Sequence, residues 1–112
     1  MDNRKDDSYY LGKIISDISF ILEHTRLVSL SELTDNPVLT DSVMFRLIQI
    51  SENSNRLSPQ FKGRHSPEIW TAIRGMRNRI VHEYGTVNLL SIYNTITSDL
   101  PVFLEELETI SL

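Results

Sequence analysis

Imidazole, guanidinium and carboxamide groups gather in one short stretch of this chain, where Arg74, Arg77, Asn78, Arg79, His82 and Tyr84 lie within eleven residues. These types suit a phosphate ester. Arginine offers a planar fork of donors to phosphate oxygens, histidine exchanges a proton near neutral pH, and asparagine can hold the imidazole in one orientation. Projected at about 100° per residue, Ile69, Ile73, Met76 and Ile80 fall within a sector of roughly 60°, the core face of a helix. Asn78 and His82, four apart, point about 180° and 140° away from the start of that stripe, so their side chains can meet on the opposite side. Arg77 is expected beside the stripe near Trp70 and Val81, with Arg74 between that flank and the Asn78–His82 line. The result is a second, mixed face of Trp, Arg, Asn and His.

On RNA such a set can work without a metal. A base removes the ribose 2′-hydroxyl proton, the oxygen attacks the neighbouring phosphate, and the guanidinium stabilises the charge that develops. One arginine and one histidine are few for a nuclease, but a two-fold dimer doubles the set across one cleft. The competing reading is a surface that only packs against a partner subunit. His24, late in the first helix, reads as a surface residue, and His65 as a solvated connector residue. The chain has no cysteine and no HxxxH pair, which argues against thiolate and histidine-rich metal sites. It also lacks GxxxxGK[ST] and GxGxxG, which argues against P-loop and Rossmann nucleotide binding. No cofactor is expected.

Helices must position these groups. Asp6, Asp7 and Ser8 precede Leu11, Ile14, Ile15, Ile18, Ile21 and Leu22 at helical spacing, predicting a first helix over about Ser8 to Val28. Ser29 to Asn36 reads as a connector with room for one helical turn. Leu39, Val43, Leu47, Ile50 and Leu57 predict a second long helix ending near Leu57, before Ser58-Pro59. Pro59 to His65 reads as a connection or a short turn. Ser66-Pro67-Glu68 starts the third long helix, with Ser66 as its cap, and Tyr84-Gly85 ends it. Val87 to Ile96 suggests a fourth helix, and Asp99-Leu100-Pro101 restarts or kinks a last one. No strand alternation or internal repeat is present. The expected fold is a single all-α domain over residues 1–112, a helical bundle.

The charge is uneven along the chain. Six of the eleven basic residues and only two of the fifteen acids lie between Arg56 and Tyr84, so that segment carries +4 and the remainder −8. A globally acidic protein with one basic region can hold a polyanion there and repel it elsewhere; a solvated basic helix face is the bland alternative. Arg74 and Arg79 are the expected phosphate-binding residues beside Arg77. No apolar run exceeds three residues and the start, MDNRKDD, is not a secretory signal, so the expected setting is the cytoplasm, without a membrane partner.

The string Arg77-Asn78-Arg79-Ile80-Val81-His82-Glu83-Tyr84 resembles the R-x4-H-x-Y motif of HEPN-domain proteins in the HepT branch of toxin–antitoxin systems. Ile50-Ser51-Glu52-Asn53 takes the place of that family's Ile-Gly-Glu-Ala, Ile69 to Met76 is similar to its W-x-x-I-x-G-x-R lead-in, and Val87 to Leu112 resembles its final segment. The resemblance implies an antiparallel HEPN bundle that dimerises with both motif helices along one cleft and acts as a metal-independent endoribonuclease. It implies Arg77 and His82 as the catalytic pair. It also implies a nucleotidyltransferase antitoxin of the MntA type, which silences the toxin by AMPylation of Tyr84. Arg77 and Tyr84, seven apart, differ by only about 20° in an ideal helix, so an adenylyl group there would crowd the arginine.

Ser51 and Asn53 depart from the family's small residues, while Glu52 is retained, either pairing with an arginine of the motif or serving as a buried polar anchor. The leading expectation is therefore a dimeric ribonuclease toxin with Asn78 supporting the imidazole. The alternative is a non-catalytic HEPN module that binds a nucleotide or a nucleotidyltransferase.

Overall fold

Caps written into the sequence start most of the helices. The computed structural model describes residues 6–64, 67–82 and 88–110. In α1 (Asp7–His24) the Asp6 side chain accepts from the Tyr9 amide at 3.0 Å. In α2 (Leu30–Thr34) Ser29 and Glu32 form a reciprocal capping box, both bonds 3.1 Å. Asn36 caps α3 (Pro37–Asn55), and Ser58 caps the short α4 (Pro59–Gly63), each followed by a proline at a first-turn position. The third long helix is α5 (Pro67–His82); its expected cap Ser66 and its expected stop at Tyr84-Gly85 lie outside the described residues, as does His65. α6 (Leu89–Asn94) and α7 (Leu100–Glu108) complete the chain. No strand occurs among the described residues.

The packing follows the apolar spacing. α1 lies against α3 and α7, α3 against α5, and α2 against α3 and α6. Ile14, Ile18 and Ile21 of α1 meet Leu47 and Ile50 of α3, Ile73 and Ile80 of α5, and Leu100 and Leu107 of the last helix in one core, each of them fully buried. This is the all-α bundle expected from the sequence.

Three local expectations are corrected. α1 stops at His24 rather than Val28, because the Thr25 hydroxyl turns back to the Ile21 carbonyl at 2.7 Å and Leu27 adopts a left-handed backbone with φ of 63°. The Tyr93 hydroxyl then donates to the Val28 carbonyl and ties this corner to α6. α3 ends at Asn55, two residues before Leu57.

The expected restart or kink at Asp99-Leu100-Pro101 is a π-helical segment, Thr95–Asp99, that joins α6 to α7 without a gap. The Leu100 amide reaches the Thr95 carbonyl, five residues back. The widened turn makes room for Pro101, which has no N–H and would crowd the carbonyl four residues earlier in a regular helix.

Two polar anchors tie α1 to its neighbours, one at its start and one near its middle. The Asp7 carboxylate accepts from the Ser58 amide at 2.7 Å and from the Ser58 hydroxyl at 2.6 Å, closing the start of α1 onto the start of α4. Further along, buried Asp17 pairs with Arg46 of α3 at 2.7 Å, and the Arg46 guanidinium lies 3.9 Å above the Phe20 ring. His24 stacks on the same phenylalanine with its ring 4.0 Å away, and is exposed.

Candidate active site on helix α5

The core stripe of α5 falls as its spacing predicts, with Ile69, Ile73, Met76 and Ile80 between 0 and 4% exposed. That burial fixes the rotation of the helix and hence the directions of its polar side chains. Trp70 does not join the mixed outer face. It is buried against Phe61 of α4, with ring centroids 6.2 Å apart, because the one-turn α4 covers the flank from which Trp70 emerges. Val81, by contrast, remains exposed.

Arg77 lies at the edge of the stripe and is half-buried. Its Nε donates to Glu52 Oε1 of α3 at 3.2 Å, and its Nη1 donates to Asn78 Oδ1 at 3.3 Å. Glu52 therefore pairs with an arginine of the motif, the first of its two expected roles. Asn78 is exposed, and its carbonyl oxygen goes to the guanidinium. No hydrogen bond joins Asn78 to His82 among the described residues, since the neighbouring cation is a charged donor within closer reach.

His82 is the last residue of α5 and is exposed. Five residues separate it from Arg77, which in a regular helix means about 7.5 Å along the axis and roughly 140° around it. Arg74 is exposed, about 60° from Arg77 on the same side. Arg79 leaves from the other flank and lines a cleft of about 220 Å³ between α5 and the π-helical segment, together with Asp99 and Phe103. The structure thus brings Arg74, Arg77 and Asn78 onto one surface, sets His82 at its end and places Arg79 apart. Tyr84 lies outside the described residues.

This surface can bind phosphate and exchange a proton. Arg77 keeps both N–H groups of Nη2 and one of Nη1 free of protein partners among the described residues, and His82 is open to water. No group of three or more His, Asp or Glu side chains gathers among the described residues, and none of their helices is long and apolar enough to cross a membrane. Sequence reasoning missed the Asp17–Arg46 pair and the Asp7–Ser58 clasp. Their partners stand 29 and 51 residues apart, beyond any local pattern.

A bundle that presents an R-x4-H sequence on the outer side of its third long helix is a domain of the HEPN class. Residues 14–110 match the family described as ribonuclease HepT-like, and the chain belongs to that family. It is 34% identical over 92 residues to a protein of Caldanaerobacter subterraneus subsp. tengcongensis named a putative RNase, covering 82% of each chain. It is 30% identical over 93 residues to a protein of Thermococcus cleftensis named a probable ribonuclease HepT, covering 82% of this chain and 84% of that one. A further relative, a Methanocaldococcus jannaschii protein also named a putative RNase, is 21% identical over 108 residues, 96% of this chain and 99% of the other. No solved structure gives a significant match.

Proposed function

We propose that this protein is a metal-independent endoribonuclease, the toxin of a HEPN/nucleotidyltransferase toxin–antitoxin pair acting in the cytoplasm. The observation that carries the reading is the state of Arg77. In a HepT-like chain, this guanidinium is held at the surface of α5 with three of its four terminal N–H groups uncommitted among the described residues, on the helix that also ends in an exposed His82.

The chemistry runs as an internal displacement. The His82 imidazole takes the ribose 2′-hydroxyl proton, O2′ bonds to phosphorus, and the P–O5′ bond breaks. The products are a 2′,3′-cyclic phosphate and a 5′-hydroxyl whose proton comes from an imidazolium or from water. Arg77 neutralises the two non-bridging oxygens as charge builds on them. Arg74, and at the margin Arg79, hold flanking phosphates.

Arg77 and His82 leave one helix in directions roughly 140° apart, which favours a homodimer in which Arg77 of one copy and His82 of the other meet one phosphodiester. Silencing follows from transfer of AMP from ATP to the Tyr84 hydroxyl by the cognate nucleotidyltransferase, releasing pyrophosphate and placing a bulky anion near the RNA site.

The test is cleavage of mixed RNA in EDTA by the wild type, Arg77→Ala and His82→Ala. Cleavage that survives chelation and is lost in both variants is the expected result. A wild type that binds RNA without cutting it overturns the enzyme reading in favour of a binding module. For regulation, mass spectrometry after co-expression with the partner should find AMP on Tyr84, and an inactive complex with unmodified Tyr84 refutes that part.

A further inference from the structure

Glu52 is held in place by its neighbours. It stands three residues before the end of α3, flanked by fully buried Ile50 and Ser51 and by Asn53 at 4% exposure. Those burials fix the rotation of this last turn and leave Glu52 on its outer side, where its carboxylate takes the single Nε–H of Arg77 of α5. Both side chains remain about one third exposed, 37% for Glu52 and 32% for Arg77. An ion pair so open to water contributes little to folding stability.

The pair also works against simple anion binding, because a carboxylate beside a guanidinium lowers the positive potential that a phosphate feels. Its geometry suggests a different use. A guanidinium has one side edge containing Nε and one end edge formed by Nη1 and Nη2. Glu52 occupies Nε and Asn78 takes one hydrogen of Nη1, which leaves three of the four terminal N–H groups without a protein partner among the described residues.

We infer that Glu52 is a positioning residue of the α5 site: by gripping Nε it aims the terminal nitrogens of Arg77 at the phosphodiester. The inference rests on the ribonuclease reading of Arg77. It assigns the carboxylate a cost in ground-state binding and a gain in turnover, since an end-on guanidinium meets the charge that develops on the non-bridging oxygens. A residue that merely supported the fold would lower binding, turnover and melting temperature together.

The experiment compares Glu52→Ala and Glu52→Gln with the wild type. Glutamine keeps an oxygen acceptor for Nε and removes the charge; alanine removes both. Binding is read by anisotropy with a labelled DNA oligonucleotide, which has no 2′-hydroxyl and cannot be cut by internal displacement. Both variants should bind it roughly threefold more tightly, the effect of deleting one negative charge about 7 Å from a phosphate across solvated space. Turnover of RNA should separate them: Glu52→Ala falls roughly 10- to 100-fold in kcat, the scale expected for a misaimed group, while Glu52→Gln stays within about threefold.

The Nε–H resonance of Arg77, assigned by its loss in Arg77→Lys, reports the grip without any catalysis. It should be shifted and slow to exchange in the wild type and Glu52→Gln, and averaged with solvent in Glu52→Ala. An unchanged resonance in Glu52→Ala overturns the inference, as does equal loss of kcat in the two variants. If the wild type cuts no RNA, the ribonuclease reading fails on its own, and the resonance and the anisotropy still decide whether Glu52 sets the Arg77 geometry.

Discussion

Ser51 and Ser54 lie three residues apart on α3 and are both buried, at 0 and 4% exposure, yet their hydroxyls differ in one respect. Ser54 Oγ donates to the Ser51 carbonyl at 2.7 Å, whereas Ser51 Oγ has no hydrogen-bond partner among the described residues. Replacing each with alanine isolates that difference. For Ser51→Ala, relief of a buried unpaired hydroxyl is worth about 1–2 kcal/mol, the lower part of the range for an unsatisfied buried group. The higher helix propensity of alanine adds a few tenths, and the void left by one oxygen subtracts roughly 0.3 kcal/mol. The expected net is a stabilisation of about 1–2 kcal/mol.

For Ser54→Ala a satisfied bond worth about 1 kcal/mol is lost against the same small terms, giving a destabilisation of about 0.5–1 kcal/mol. In a domain of this size 1 kcal/mol corresponds to about 4 °C, so the two melting temperatures should move in opposite directions and differ by roughly 8 °C. Urea titration with a common m-value is the assay. Equal losses in both variants would show that the Ser51 hydroxyl is paired or that its volume matters more than its polarity, and would refute the reasoning.

Arg46→Ala should destabilise the protein by about 2–4 kcal/mol, because it strands Asp17, whose side chain is only 6% exposed, and removes the cation from above Phe20. The double replacement Asp17→Leu with Arg46→Met should recover most of that loss in urea titrations; no recovery would mean the charges themselves are needed. The Ser58 hydroxyl, then the Ser58 amide, hold the Asp7 carboxyl below its ordinary value of 3.8, with burial opposing and Arg64 assisting. Its contribution is therefore complete above that value and is lost as pH falls from there through the lower folded pKa. Asp7→Asn should be less stable than the wild type at neutral pH and should close the gap in acid, and a constant difference from pH 7 to pH 2 would refute the clasp. In RNA binding, Arg74→Ala should flatten the slope of log affinity against log salt by about 0.7, one phosphate contact on a single strand. Arg79→Ala, on the flank shared with Asp99, should change it less, and the reverse order would relocate the RNA path.

What was legible in the sequence was whatever repeats at helical spacing. Ile69, Ile73, Met76 and Ile80 marked the buried side of α5 and so the outward direction of Arg74 and Asn78, because a stripe of apolar residues fixes rotation as well as burial. Trp70 shows where that logic stops: a residue at the edge of the stripe takes its burial from whatever element passes by. Here that element is α4, whose five residues are too few to carry a periodic signal. The Asp99-Leu100-Pro101 signal correctly located a disturbance. It did not reveal that a wider turn, rather than a break, absorbs the proline. The anchors Asp7–Ser58 and Asp17–Arg46 join distant segments and have no local trace.

The same distinction applies within the proposed site. Arg77 emerges at the edge of the core stripe, where a second helix is near enough to supply Glu52, so its orientation is determined by packing. His82 emerges at the end of α5, on the side turned away from the core, and no hydrogen bond from the described residues orients its ring. Proximity to the core therefore separates the two roles. In the proposed reaction, the group that presents fixed charge to a phosphate is the one the fold holds, while the group that accepts and releases a proton has no hydrogen bond holding it among the described residues. In this arrangement a single chain supplies an aimed electrostatic element and an unaimed base. In the proposed dimer, completing the geometry falls to the substrate strand together with the second copy, whose own Arg77 and His82 diverge in the same way.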